Sequence, residues 1–475
     1  MQQEWQAASK TARASDTAGY LSTKTIAALC SPSGGAICIL RISGSEAFSI
    51  SEKLTASQRE EWQERKAQRL WVVGRDQKRI DDAVMLPYFG PRSFTGEDSV
   101  EFFLHGSPMV AQKVLEETFS LGARMALPGE FSFRAVKNGK LTLSQAEAIK
   151  ELVQAENDFA LELSLEKLSG TQHKLVEGLK NELIQLVTLG EVGIDFSDQD
   201  IDVVSLPALK QRLAGVIKIL LNLQGSFDRG KKISDGIPVS IFGLPNAGKS
   251  SFFNALLGED RSIVSDIAGT TRDVVRERLN LKGARGYVSF KISDTAGLRK
   301  SVDQIEKIGI ERSLKAAGES DFILIVLDGL KPELESVRKF LAQVEVDQKN
   351  IVWIASKSDL ADAAQRSKLE NELGLKPLWV SSVTTDGVHQ AALVIAEAGE
   401  RALDKKPNEV LLTRMEHFQA VELALQSLMT ARDSEDLVLF ASCLRHALND
   451  LGPLIGETLP DDVLGKIFSD FCIGK

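Results

Sequence analysis

The residues with the clearest chemistry are Gly243-Leu244-Pro245-Asn246-Ala247-Gly248-Lys249-Ser250-Ser251. The apolar run Ile237–Phe242 before them reads as a buried strand, and Phe252–Leu257 after them reads as the first turns of a helix. Strand, G-x-x-x-x-G-K-S and helix in that order form a phosphate-binding loop. Gly243 and Gly248 let the backbone curl so that successive N–H groups face anionic oxygens. The helix N-terminus adds partial positive charge. Lys249 is expected to reach the terminal phosphates, and the Ser250 hydroxyl to coordinate Mg²⁺. The alternative is a glycine-rich turn with a chance lysine, against which the flanking strand and helix argue.

Three further segments follow in the order that a GTPase requires. Asp266-Ile-Ala-Gly-Thr270-Thr271-Arg272-Asp273 offers a threonine hydroxyl to complete a Mg²⁺ shell when a γ-phosphate is present. Asp294-Thr-Ala-Gly297 places a carboxylate near the metal and a glycine N–H near the γ-phosphate. Ser356-Lys357-Ser358-Asp359 ends another strand, and Asp359 can accept two hydrogen bonds from guanine that adenine cannot supply. Each segment alone arises easily by chance; the four together point to GTP.

Two positions depart from the usual pattern. Ser356 stands where an asparagine is usual, and the shorter side chain is expected to lose a hydrogen bond toward the base and the loop, about 1 kcal/mol. Guanine selectivity through Asp359 should survive, with weaker affinity. Leu298 follows Gly297 where Ras-like proteins place a water-orienting glutamine, so hydrolysis needs groups from elsewhere. One source is an arginine in cis, Arg272 or Arg299. The other is a monovalent cation held by the Asn246 side-chain carbonyl and backbone oxygens of Ser265–Thr270.

These residues must be held by several domains, and 475 residues suffice for about three. A hydrophobic content of 43% and a charged content of 26% are ordinary for a globular protein. The net charge of −9 removes any global attraction to nucleic acid, so an RNA would be met by a local basic patch or by a partner. Cys30, Cys38, Cys443 and Cys472 form no C-x-x-C pair and suggest a reduced, intracellular protein without disulfides, and the expected localisation is cytoplasmic. No apolar stretch is long enough to span a membrane. Residues 1–23 are polar and alanine-rich and read as a flexible tail, with a weak organelle presequence as the alternative.

The expected fold class is multidomain α/β and α. Short runs at Ile37–Ile42, Leu70–Val73, Ala83–Leu86 and Val100–Leu104, with helical spacing over Met109–Leu121, give a small α+β domain over residues 24–140. Residues 141–233 carry helical periodicity: two long helices, the acidic loop Asp195–Asp202, and a third helix from about Leu206 to Phe227. The polar stretch Arg229–Asp235 reads as a boundary. Over residues 234–404, strands at Val288–Ile292, Phe322–Leu327, Ile351–Ala355 and Leu378–Val380 alternate with helices, the pattern of a doubly wound parallel sheet. Residues 405–475 return to helix, with Leu411, Met415, Phe418, Leu425 and Leu428 on one face. A helical region split in this way implies that the P-loop domain is inserted in it.

The chain resembles the MnmE (TrmE) family of tRNA-modifying GTPases over nearly its whole length after the N-terminal tail. The resemblance rests on Ile39-Leu-Arg41-Ile-Ser-Gly44, Ser93-Phe-Thr-Gly-Glu-Asp98, Pro128-Gly-Glu-Phe131, Asn138-Gly-Lys140 and Leu143-Ser-Gln-Ala-Glu-Ala148. The P-loop, the Asp266–Asp273 loop, Ile308–Arg312 and the terminal Phe471-Cys-Ile-Gly-Lys475 also agree. It implies an N-terminal domain that dimerises and binds 5-formyl- or methylene-tetrahydrofolate through Arg41, Glu101, Lys140 and Lys475. It implies GTP or GDP held by residues 246–251 with Ser265, Thr270, Thr271, Asp294, Gly297, Ser356, Lys357, Asp359, Ser381 and Ser382. Mg²⁺ would lie on Ser250 and Thr271, and K⁺ on Asn246, Ser265, Ile267 and Thr270. Catalysis would fall to Lys249, Thr271, Gly297 and Glu306, the last positioning water. The implied reaction adds a (carboxymethyl)aminomethyl group at carbon 5 of the wobble uridine of certain tRNAs. The implied partner is the flavin-dependent MnmG (GidA) protein in a heterotetramer, and no G-x-G-x-x-G fingerprint gives this chain a dinucleotide site of its own. A regulatory or ribosome-assembly GTPase and a degenerate nucleotide-binding scaffold are the rival readings.

Overall fold

The computed structural model describes residues 17–195, 205–259, 278–293, 314–344, 350–406 and 409–455, with 465, 467–469, 471, 473 and 474. The chain divides into two compact units, residues 1–150, 167–180 and 451–475 in one, and 151–166 with 181–450 in the other.

The first unit is built on a six-stranded sheet in the order β3-β4-β5-β2-β1-β6. Its strands are β1 (Ile26–Leu29), β2 (Ile37–Ser43), β3 (Gln68–Val73), β4 (Arg79–Tyr88), β5 (Ser99–His105) and β6 (Arg124–Met125). The short strands β1 and, at the sheet edge, β6 are too brief to leave a periodic signal and are found only through the pairing of β1 with β2 and with β6. Alternation along β2 and β5 sends Leu40, Ile42, Phe102 and Leu104 into a core shared with Ile50, Leu54, Val114 and Leu115 of helices Ala47–Thr55 and Pro108–Ser120. The same alternation sends Arg41 and Glu101 to the opposite face.

Expectation and structure differ at the N-terminus. Tyr20 is buried, its ring 5.2 Å from Phe133 and its hydroxyl donating to the Pro128 carbonyl at 2.8 Å, so fixed structure begins before residue 24. Phe468 and Phe471 join the same aromatic cluster, and Ile473 packs beside Phe131 and Phe94.

The second unit holds a six-stranded sheet ordered β12-β11-β10-β7-β9-β8. Its strands are β7 (Ile237–Phe242), β8 (Arg278–Lys282), β9 (Tyr287–Ser293), β10 (Phe322–Asp328), β11 (Ile351–Ser356) and β12 (Leu378–Trp379). All neighbours are parallel except β8 and β9. One side packs Phe252, Phe253, Leu256, Val388 and Ile395; the other packs Ile323, Ile325, Val337, Phe340 and Leu369. Strands buried on both faces read as continuous apolar runs, which is why β7 and β10 were legible.

The helices depart from expectation in three places. Residues 143–195 form three helices, Leu143–Gln154, Asp158–Leu168 and Thr171–Asp195, in place of two, because Asn157 restarts the chain and Gly170 breaks it at φ 87°. The helix from Leu206 runs on to Asp235, through the supposed boundary. Its Gly230 admits Leu412 so closely that a Cβ would lie 2.1 Å from the Leu412 carbonyl oxygen, and Ile233 is core. In helix Met415–Asp433, Leu425 and Leu428 are buried but Met415 is exposed. Among the described residues no helix is long and apolar enough to cross a membrane.

Candidate functional site

In an open parallel sheet the loops beyond the carboxyl ends of the strands are the place for a ligand. β7, β10 and β11 bring three such loops side by side. The loop after β7 is the P-loop, running into helix Lys249–Glu259. Asn246 and Gly248 take left-handed backbone, at φ 64° and 88°, and asparagine tolerates this better than most side chains. Lys249 lies over the loop, its Nζ donating to the Gly243 carbonyl at 2.6 Å and the Leu244 carbonyl at 2.9 Å. Burial pushes its pKa below the ordinary lysine value. Ser250 is half-buried and Ser251 exposed in the first turn of the helix, while Ala247 is buried.

The loop after β11 carries Ser356, Lys357 and Asp359. Lys357 donates to Asp328 at the end of β10, at 2.6 Å. Burial works against the Asp328 carboxylate, but Lys357 and the Leu330 N–H outweigh it and hold its pKa below the usual range. Asp359 is exposed beside this braced pair. Ser381 is buried, its hydroxyl accepting the Val383 and Thr384 N–H groups at 3.3 and 3.2 Å, and Ser382 is half-buried next to it.

One expectation is corrected here. Ser356 does not lose the bond to the loop: its Oγ donates to the Ala247 carbonyl at 2.8 Å and is buried. Gly248 makes the fit, since a Cβ there would lie 3.1 Å from the Ser356 Oγ. At this close approach the short side chain spans the gap, so the loop after β11 stays tied to the P-loop. Ser356→Ala should therefore weaken GDP binding about fivefold, the value of one such bond, with no gain in ADP binding. Titration of labelled GDP against the variant and wild type checks this, and equal affinities would show the tie to be idle.

Ser265, Ile267, Thr270, Thr271, Arg272, Asp294, Gly297, Leu298, Arg299 and Glu306 lie outside the described residues.

In the first unit Arg41 and Glu101 are cross-strand partners. The Arg41 Nε donates to Glu101 Oε1 at 2.8 Å, and the guanidinium lies 5.1 Å from the Phe94 ring centre and 5.3 Å from that of Phe131. Tyr88 donates its hydroxyl to Glu101 Oε2 at 3.3 Å; burial, then the Glu101 charge, raises its pKa. Lys140 is exposed, with its stem 3.2 Å from the Cβ position of Gly96 in the 93–98 loop that also carries Phe94. Lys475 lies outside the described residues, but Gly474 sits against β1, where a Cβ would be 2.1 Å from the Leu29 carbonyl oxygen. The structure thus brings Arg41, Glu101 and the end of the chain toward Phe94 and Phe131.

Sequence reading missed the buried charges that hold this region. Arg134 bridges Glu97, at 3.0 Å, and Glu130, at 2.8 Å, and Arg124 meets Glu130 from the other side. The Ser43 hydroxyl donates to Glu97 at 2.9 Å. The motifs Ser93–Asp98 and Pro128–Phe131 contained Glu97 and Glu130, but nothing in the spacing said that they share an arginine.

With this geometry established, two family models match the chain. One, described as MnmE helical domain, matches residues 143–472, and one described as GTP-binding protein TrmE N-terminus matches residues 25–140. The tRNA modification GTPase MnmE of Protochlamydia amoebophila (strain UWE25) is 35% identical over 462 residues, 96% of this chain and 98% of that protein. The protein of the same name from Aquifex aeolicus (strain VF5) is 36% identical over 456 residues, 95% of this chain and 99% of that one. Among solved structures, the G domain of the T. maritima FeoB iron transporter covers 35% of this chain and 99% of its own at 24% identity, with a TM-score of 0.25.

Proposed function

Because the chain belongs to the MnmE family of tRNA modification GTPases, it is a GTP hydrolase of tRNA modification, and we propose that it acts on carbon 5 of the wobble uridine. The reaction adds a (carboxymethyl)aminomethyl group together with a flavin-dependent MnmG-type partner, in the cytoplasm. The observation that carries the nucleotide half of this reading is the braced pair of loops after β7 and β11, tied by Ser356 to Ala247 at 2.8 Å. Asp359 selects guanine, and Lys249 with the P-loop N–H groups holds the phosphates. Asp294, Gly297, Thr271 and Glu306 complete the catalytic set in this proposal, with Ser265, Ser381 and Ser382 at the edge of the nucleotide.

Two metals belong to the reading. The hydroxyls of Ser250 and Thr271 suit Mg²⁺, a hard cation that takes oxygen ligands. The exposed carboxamide of Asn246, on the rim of the P-loop, supplies a neutral oxygen of the kind K⁺ accepts, with Ser265, Ile267 and Thr270 as its further ligands. When bound, these cations supply positive charge to the phosphates. Two G domains would meet there in a K⁺-dependent dimerisation cycle.

The folate half rests on the first unit. Arg41 and Glu101 present a guanidinium and a carboxylate on one face of the sheet, between Phe94 and Phe131. Such a set fits a tetrahydrofolate: the carboxylate accepts from the pterin N–H groups, the cations meet the glutamate tail, and the rings cover an aromatic face. Lys140 and Lys475 are the further cations, and this unit would also dimerise. Deleting residues 473–475 should weaken 5-formyltetrahydrofolate binding about tenfold while GDP binding stays intact. Unchanged folate affinity would remove the chain end from the site.

Wobble chemistry itself is tested by nucleoside mass spectrometry of tRNA from a strain lacking the gene. Loss of the carbon-5 modification, restored by the wild-type copy, is the expected result. Normal tRNA would favour a regulatory or ribosome-assembly GTPase instead.

A further inference from the structure

Helix Leu143–Gln154 stops and helix Asp158–Leu168 begins after three intervening residues, the last of them Asn157. Asn157 Oδ1 accepts the Ala160 N–H at 2.7 Å, a role asparagine favours at a helix start. Its Nδ2 donates outward, to the Ile233 carbonyl at 3.2 Å and to Ser289 Oγ at 2.9 Å. Ser289 Oγ then donates to Asn280 Oδ1 at 2.6 Å. Asn157 is 7% exposed, and three of its four hydrogen-bond positions are used.

Its neighbours grip the same target. Glu156 pairs with Arg278 at 2.7 Å, and Asp158 Oδ2 accepts the Tyr287 N–H at 2.6 Å. Gly286, at φ 138°, permits the approach, because a Cβ there would stand 2.4 Å from Asp158 Oδ2. Phe159, Ala160 and Leu163 then pack into one core with Leu279, Leu281, Val288 and Phe290.

The element held in this way is the β8–β9 hairpin. In the sequence β8 starts seven residues after Thr271, and β9 ends at Ser293, the residue before Asp294. On its other edge β9 pairs with β7, from Ile237↔Phe290 to Ser240↔Ser293, and β7 leads into the P-loop. The clamp on β8–β9 therefore bears on the strand that sits beside β7 and, through β7, on the phosphate loop. Reacting groups lose rate steeply when displaced by about 1 Å. A residue remote from the nucleotide can thus govern turnover without touching it.

We propose that Asn157, flanked by Glu156 and Asp158, is a positioning residue for GTP hydrolysis: it clamps the β8–β9 hairpin and so holds β9 in register against β7, the strand that leads into the P-loop. This rests on the GTPase reading above. The segment 151–166 belongs to the same compact unit as this hairpin, whereas its sequence neighbours on both sides belong to the other unit. Movement of the 156–158 segment is thereby tied to the strand that leads to Asp294.

The test compares Asn157→Ala, Ser289→Ala and the double variant in the full-length chain, reading kcat and KM for GTP, the GDP dissociation constant and the melting temperature. Each single variant is expected to lower kcat about three- to tenfold, with KM and GDP affinity within about twofold. The double should fall by clearly less than the product of the two single losses, since both singles break the shared Asn157–Ser289 contact. If Asn157→Ala does not fold, Ser289→Ala, which removes a single hydroxyl, carries the test, and Glu156→Gln should give a smaller fall in kcat. A lowered melting temperature with unchanged kcat would overturn the proposal, as would equal losses in GDP affinity and kcat. A wild-type chain that turns over no GTP would instead sink the GTPase reading and this proposal with it.

Discussion

GTP turnover by Lys249→Ala is expected to fall about a thousandfold in kcat/KM, the largest loss of any single substitution in the nucleotide site. The amine already lies over the loop, donating to the Gly243 carbonyl at 2.6 Å and to that of Leu244 at 2.9 Å. Burial lowers its pKa, while the two carbonyl oxygens favour the ammonium, and in the proposed complex the phosphates would do the same. Charge-assisted hydrogen bonds contribute about 1.5–3 kcal/mol each, so losing them from the ground state alone costs roughly a hundredfold in GTP affinity. The rest is charge that grows on the phosphates only during transfer. Alanine is a good helix former at position 249, so the fold should be kept, and the melting temperature without nucleotide should move by no more than a few degrees. Single-turnover and steady-state rates in the variant decide the matter. Turnover within threefold of wild type would mean that Lys249 does not serve the phosphates.

The second large effect is expected from exchanging the salt. With GTP saturating and ionic strength fixed, replacing KCl by NaCl should lower turnover by on the order of a hundredfold or more, because an arginine finger, the other way of supplying this charge, contributes a thousandfold or more. Leu298 cannot orient water, so positive charge at the phosphates must do more of the work. Asn246, exposed on the P-loop with left-handed backbone, is the residue proposed to supply an oxygen to the cation. Asn246→Ala should reduce the difference between the salts to within a few-fold while leaving GDP affinity nearly intact. Arg299→Ala and Glu306→Ala separate the alternatives, since Glu306 is proposed to position water and Arg299 to supply charge in cis. Equal rates in both salts, with loss only in Arg299→Ala, would assign the charge to the arginine.

The P-loop segment was legible for a definite reason. A P-loop is made by contiguous residues whose backbone conformation depends on where glycine, asparagine and lysine fall; the strand β10 announces itself as an apolar run over Phe322–Leu327, and β7 is apolar but for Ser240. The first unit was partly legible: short apolar runs marked four of its strands, whereas β1 and β6, of four and two residues, carry too little pattern to be seen alone. Family likeness supplied Arg41 and Glu101 as separate names; the register of β2 against β5 made them one ion pair.

The sequence by itself determined the order of the GTPase segments, the doubly wound class of the second sheet and the family of the chain, because each is written in residues close together in the chain. Only the tertiary structure decided what Ser356, Asn157 and Gly230 are for. Ser356 looked like a lost contact until Gly248 was found to bring Ala247 within 2.8 Å of its hydroxyl. Asn157 looked like part of a long helix until Ser289, 132 residues away, was found at its amide. Gly230 looked like a linker residue until the Leu412 backbone was found against it. Hydrogen bonds and close backbone contacts between residues far apart in the chain leave no periodicity behind, so their partners become known only when the chain has folded.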